Sequence, residues 1–251
     1  MGGHSHWAGI KHKKALVDAK KGKVFTRLIR EITIAARLGG GDPTGNARLR
    51  KAIDDGKAAN MPLENVKRAI QRGTGEIPGA TYEELVYEGY GPGGVAVLCE
   101  VTTDSKNRTA SEIRKIFSSH GGNLGESGCV AYLFQQKGYI TLKKSAGSEE
   151  DLMNLALEAG AEDFKSDESD SHEIITAPKD FEVIRKKIAD KNIPVETAEI
   201  TMLPSTEVPV DEKAAAQILA LMEELEAHDD VKTVYANFDI PDKILARMGQ
   251  G

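Results

Sequence analysis

The stretch YITLKKSAGSEEDLMNLALEAGAEDFKSDESDSHEIITAPKDFEVIRKKIADKNIPVETAEITML, Tyr139–Leu203, decides the fold. Tyr139–Lys144 has strand character. Glu149–Ala159 follows with Leu152, Leu155 and Ala156 at helical spacing. Asp163–Ser166 and Glu173–Thr176 read as short strands around an acidic turn. Asp180–Lys191 is helical again, with Val183, Ile184 and Ile188 inward, and Val195–Leu203 returns to strand. The order β-α-β-β-α-β is the ferredoxin-like split motif, complete in about 65 residues.

Working outward, Tyr82–Glu88 and Val95–Thr103 read as strands around Gly89-Tyr90-Gly91-Pro92-Gly93-Gly94. Asn107–Ser119 is a helix with Ala110, Ile113, Ile116 and Phe117 inward, and Cys129–Gln135 is a further strand. This block lacks a second helix for a balanced layer. Beyond the linker Pro204–Pro209, Asp211 is the N-cap of a helix to about Ala227, with Ile218, Leu221, Met222 and Leu225 inward. A last strand is Val231–Asp239. The late helix and strand therefore complete the earlier block. The expected architecture is α+β: a basic helical domain at 1–78, a middle α+β domain at 79–136 plus 205–251, and the ferredoxin-like domain at 137–204 inserted in the middle one.

The N-terminal helices show their own period. Val24, Phe25, Leu28, Ile29, Ile32, Ala35 and Ala36 mark one from Gly22 to Leu38, ended by Gly39-Gly40-Gly41. Asn46–Ala59, with Leu49, Ala52 and Ile53 inward, and Pro62–Arg72, with Leu63, Val66 and Ile70, complete a small bundle. Charge separates this bundle from the rest. Residues 1–75 hold 16 Lys and Arg against 6 Asp and Glu; residues 76–251 hold 17 against 33. The chain's formal charge of −6 describes neither part.

A basic module on an acidic body implies a polyanion partner, nucleic acid first. At about 100° per residue, Lys23, Arg27, Arg30 and Arg37 share one side of the first helix, opposite Phe25, Leu28 and Ile32. Lys20 lies nearby, and Lys11, Lys13 and Lys14 add charge to the arm before it. Ile34 is an exception, apolar on the basic side. These eight cations are the candidate nucleic-acid contacts, on a solvent face and an arm. The excess continues through Arg48, Arg50, Lys51, Lys57, Lys67, Arg68 and Arg72. Such contacts set affinity and register without reading sequence. No groove-reading motif or aromatic RNA platform accompanies them. Trp7 reads as an anchor of the arm, with base stacking as the alternative.

Other chemistry finds little support. No stretch reaches the apolar length of a membrane span, and the N-terminus lacks a signal-peptide core. Cys99 and Cys129 read as buried free thiols of a cytoplasmic protein. His4, Ser5, His6 and His12 have no carboxylate or thiolate close by in sequence, so no metal is expected. Gly89–Gly94 lacks a phosphate-loop ending and reads as a hairpin turn. Asp104–Thr109 reads as a helix N-cap turn, with anion binding as the alternative. Gly121–Gly128 reads as a flexible connection, and Asp163, Asp167, Glu168 and Asp170 as a solvated loop without a calcium pattern. No nucleophile, base and orienter come together, so neither catalysis nor a cofactor is expected. Nothing specifies an oligomeric state.

Gly3-His4-Ser5-His6-Trp7-Ala8-Gly9-Ile10-Lys11-His12-Lys13-Lys14 resembles the N-terminal signature of the YebC/PmpR family. Phe25–Ile32, Ala59–Val66, Tyr87–Val95, Asp104–Thr109 and Leu203-Pro204 resemble further family segments, in order along the whole chain. The resemblance implies three domains, one helical and two α+β, and a cytoplasmic regulator of gene expression. Family members are usually described as DNA-binding transcriptional regulators. Others, including mitochondrial relatives, are described as translation factors that act with the ribosome and aid translation of difficult sequences. The sequence reading is thus a non-enzymatic DNA-binding transcriptional regulator, with a ribosome-associated factor on ribosomal RNA as the alternative.

Overall fold

The computed structural model describes residues 21–166, 171–241 and 243–244. They divide into two compact units. Residues 132–207 form one; residues 21–131 with 208–244 form the other.

The larger unit begins with three helices: α1 (Lys21–Gly39), α2 (Ala47–Ala58) and α3 (Leu63–Thr74). Ile32, Ala35, Ala36, Leu49, Ala52, Met61, Val66 and Ala69 form their shared core. Asn46 fixes the first corner from both sides. Its carboxamide donates to the Ala35 and Gly40 carbonyls at 2.7 and 2.9 Å, and accepts from the Leu49 amide at 3.0 Å. One side chain therefore ends α1 and caps α2. Where α1 and α3 cross, a Cβ on Gly73 would stand 2.4 Å from the Thr33 carbonyl oxygen and 2.7 Å from Ala36 Cβ. The crossing needs a residue without a side chain.

The same unit holds β1 (Glu83–Tyr90), β2 (Ala96–Thr103), α4 (Lys106–Ser119) and β3 (Asn123–Leu124). β1 and β2 form an antiparallel hairpin from Glu83↔Thr103 to Tyr90↔Ala96. Gly93 and Gly94 take positive φ at its tip, 74° and 77°. The other strands of this unit come after the 132–207 segment.

That segment contains β4 (Phe134–Lys143), α5 (Glu149–Glu158), β5 (Asp163–Lys165), β6 (Ser171–Thr176), α6 (Phe181–Asp190) and β7 (Val195–Pro204). Its antiparallel sheet has the order β5-β6-β4-β7. The two helices pack Leu152, Ala156, Ile184 and Ile188 against Ile140, Leu142 and Ile174.

The chain then adds β8 (Val208–Pro209), α7 (Glu212–Ala227), β9 (Val231–Ala236) and β10 (Phe238–Asp239) to the larger unit. β9 lies antiparallel beside β2, giving the order β3-β1-β2-β9. Ile113 and Phe117 of α4 meet Ile218, Leu221, Met222 and Leu225 of α7 over this sheet. Asp211 caps α7, its carboxylate accepting from the Ala214 amide at 2.8 Å. The result is mixed helix and sheet, with N-terminal helices followed by sheet-containing parts.

Several local expectations change, and Val183 and Leu63, read as facing inward, are exposed. The strand expected at Cys129–Gln135 is instead a short turn at Ala131–Leu133 leading into β4. Lys137-Gly138 does not separate two strands: β4 runs straight through it. A Cβ on Gly138 would lie 2.2 Å from Thr176 Oγ1 and 2.7 Å from a Phe181 ring atom, so this glycine permits close packing. Cys99 is buried, but Cys129 is only half-buried; both are free.

Gly73→Ala tests the helix crossing. At an open helical site this change is mildly stabilising. Here it is expected to lower unfolding free energy by about 1–3 kcal/mol, the usual range for overpacking, as read from urea denaturation.

Candidate nucleic-acid interface

The basic side of α1 is only partly a solvent face: Arg27 and Arg30 are half-buried, while Arg37 is exposed. This side packs against the end of α7 and the turn that follows within the same unit. Lys23 and Arg27 donate to the Ala227 and Glu226 carbonyls. These carbonyls belong to the last turn of α7, and that turn has no basic residue of its own. The last carbonyls of a helix lack intrahelical partners and carry the negative end of its dipole. Two cations from α1 supply what this last turn lacks. Ile34, set among them on the helical wheel, is only 4% exposed. An apolar residue on the basic side is the one sign in the sequence that this side is covered.

Arg30 reaches further. It donates to the Asp229 carbonyl at 2.6 Å, stands 2.8 Å from the Asp230 carboxylate, and lies over the Tyr82 ring at 5.5 Å. Arg37 donates to the Tyr82 carbonyl at 3.1 Å. The Nε atoms of Arg27 and Arg30 are buried without an acceptor among the described residues. Burial lowers the Arg27 pKa despite nearby Glu226 and Asp229. Arg27 and Arg30 are therefore partly desolvated docking residues. Lys11, Lys13, Lys14 and Lys20 lie outside the described residues.

Asp230 is the centre of the contact, with its side chain 3% exposed. Arg108 bonds it at 2.7 Å and the Thr109 hydroxyl at 2.6 Å. Thr109 Oγ1 in turn accepts from the Thr103 hydroxyl at 2.8 Å. Burial alone would raise this carboxyl's pKa. The Thr109 and Arg108 hydrogen bonds and the Arg30 charge hold it below the ordinary range instead. The Asp104–Thr109 turn is thus an ion-paired helix start, with Asp104 on Arg108 at 3.0 Å.

Glu112, His228 and Asp230 bring three potential metal-ligand atoms within 4.8 Å of one another. Their bonds describe something else. His228 Nδ1 accepts from the Asp230 amide at 3.1 Å, which leaves Nε2 to carry the proton toward Glu112 at 2.9 Å. Two guanidinium groups already stand on Asp230, so a cation there would meet strong repulsion.

A second network secures α2. Arg48 forks onto Glu84 at 2.6 and 3.0 Å and meets Glu31 at 2.7 Å; Lys232 stands 3.1 Å from Glu31. Both carboxylates raise the Arg48 pKa. Lys51 pairs with Asp55 at 2.9 Å and Lys57 with Asp54 at 3.0 Å.

The connection expected to be flexible, Gly121–Gly128, is pinned by a buried carboxylate. Glu88 is 5% exposed and accepts from the amides of Gly128, Val130 and Ala131 at 2.6, 2.8 and 2.7 Å. Burial would raise its pKa; the three amides more than reverse that. Nothing in the sequence distinguishes this glutamate from a surface residue. Burial raises the Cys99 pKa strongly, making it a poor nucleophile. Among the described residues, no helix is long and apolar enough to cross a membrane.

Residues 5–76 match a family model described as the TACO1/YebC protein N-terminal domain, and residues 82–238 one described as the TACO1/YebC second and third domain. A protein of Elusimicrobium minutum is 57% identical over 251 residues, covering 100% of both chains. One from Endomicrobium trichonymphae is 60% identical over 249 residues, covering 99% of each. Both are named probable transcriptional regulatory protein. A crystal structure of a conserved hypothetical protein from Aquifex aeolicus superposes with a TM-score of 0.78 at 51% identity, covering 94% of this chain and 97% of that one.

Asp230→Asn leaves two guanidinium groups facing a neutral amide. The expected loss is roughly 3–5 kcal/mol, as for breaking a buried ion pair. The folded Asp230 pKa is depressed, so its stabilisation is complete above the unfolded value of about 4 and lost as pH falls through the lower folded value. Urea midpoints measured between about pH 2 and 7 should therefore fall less steeply toward acid in Asp230→Asn than in the parent.

Proposed function

The chain belongs to the TACO1/YebC family, and we propose that it is a non-enzymatic, cytoplasmic regulator of gene expression that acts by binding nucleic acid. The observation that carries this reading is full-length identity of 57–60% to proteins named probable transcriptional regulatory protein. On that ground the proposed partner is DNA at transcription. The basic excess of residues 1–75 supports a phosphate-rich partner of either kind.

The arm residues Lys11, Lys13, Lys14 and Lys20 are proposed as phosphate contacts. Arg27, Arg30 and Arg37 are not proposed as first contacts, because carbonyls and Asp230 already hold them. The polar clusters of the described residues serve packing: Asp230 docks α1, and Glu88 secures a loop. This supports the non-enzymatic reading.

Two measurements test the proposal together. Binding to promoter fragments and to random DNA is compared, and lysate is sedimented on a sucrose gradient at moderate salt. A preference of ~10³ or more for a promoter site, typical of specific DNA binders, is the expected outcome. Co-sedimentation with ribosomes, with no preference among DNA sequences, would overturn the transcriptional reading in favour of ribosomal RNA.

A further inference from the structure

We propose that the outer face of α3, carrying Lys67, Arg68 and Arg72, is a phosphate-backbone contact surface of the helical layer. The inference rests on the nucleic-acid reading above, and its first support is how differently the three helices use their cations. On α1, Lys23, Arg27, Arg30 and Arg37 are held by α7, its following turn and Tyr82. On α2, Arg48, Lys51 and Lys57 each meet a carboxylate, and Arg50 donates to the Pro43 carbonyl at 3.2 Å. On α3, Lys67, Arg68 and Arg72 are exposed and meet no carboxylate among the described residues.

Geometry keeps all three off the packed side of the helix. Val66 and Ala69 are buried in the helical core, and Gly73 is pressed onto α1. Lys67 and Arg68 flank the opposite side of the helix, and Arg72 follows Arg68 by one turn. Five residues of helix rise about 7.5 Å, close to the axial span of two phosphates on one strand at about 3.4 Å each. Glu64 is the only acidic residue within α3, and it is not paired with the lysine and arginine one turn away. The face therefore retains a net positive charge that the fold does not neutralise. A long, flexible lysine and two planar arginine forks suit phosphate oxygens without demanding a base sequence.

The experiment compares two full-length variants carrying equal charge changes. One is Lys67→Gln, Arg68→Gln and Arg72→Gln together. The other is Arg50→Gln, Lys51→Gln and Lys57→Gln together. Binding of each, and of the parent, to a duplex DNA and to a ribosomal RNA fragment is titrated from about 50 to 200 mM salt. The α3 variant is expected to lose tenfold or more in affinity, and its salt slope to fall by about 2 to 3 on duplex DNA. The α2 variant should change the slope by less than one. Equal loss in both overturns a localised surface. An unchanged slope in the α3 variant, with the parent still binding, overturns the α3 assignment but leaves the nucleic-acid reading standing. A parent that binds neither nucleic acid overturns both. Single Arg68→Gln and Arg72→Gln variants, each expected to lower the slope by about one, give the same reading should the triple variant fold poorly.

Discussion

The larger unit depends on one buried carboxylate. Asp230 sits at the turn between α7 and β9, and receives Arg30 from α1 and both Arg108 and Thr109 from the start of α4. Two segments distant in sequence converge on the two carboxylate oxygen atoms of a third. A buried charge is costly unless its hydrogen-bonding capacity is filled, and partial filling is worse than an apolar replacement. The position of α1 is therefore tied to the positions of α4 and α7. A sliding displacement of α1 would leave a charge unpaired rather than exchange one apolar contact for another.

The same logic explains why basic residues concentrate on α1. The last turn of α7 presents carbonyls with no partner inside the helix, followed by Asp229 and Asp230. Lys23 and Arg27 meet the carbonyls, and Arg30 meets the carboxylate. To a guanidinium group, a row of helix-terminal carbonyls resembles a row of phosphate oxygens. Both offer closely spaced acceptors in a negative field. A count of positive charge cannot tell an internal acceptor from an external one, which is why this face is read from the sequence as open to solvent.

Much of the fold was legible because it follows from period. The 3.6-residue repeats of Leu152–Ala156 and Ile218–Leu225 mark helices, and the β-α-β-β-α-β order is visible in Tyr139–Leu203 without reference to distant contacts. What escaped the sequence depends on distant partners. Strands read to Gln135 and from Tyr139 leave Gly138 between them; only Thr176 and Phe181 show that this glycine lies within a strand and admits close neighbours. Glu88 reads as an ordinary strand residue, because its three amide donors lie some forty positions away. Ile34 was visible as an anomaly on the basic side, and its burial follows from the packing of that side.

Opposite charge in the two parts of the chain is therefore partly an internal matter. The acidic 226–230 region and the basic side of α1 act as counterions to each other, so the free positive charge is smaller than the sequence count. A nucleic acid approaching α1 would have to displace acceptors that are already close, desolvated and covalently part of the same protein. Its gain there is the difference between two similar interactions. On α3, phosphate would replace only water and mobile ions, and the release of counterions from the nucleic acid is then retained in full. Contact with a polyanion is favoured where the protein has left its cations unmatched, and that is a property of pairing rather than of charge density.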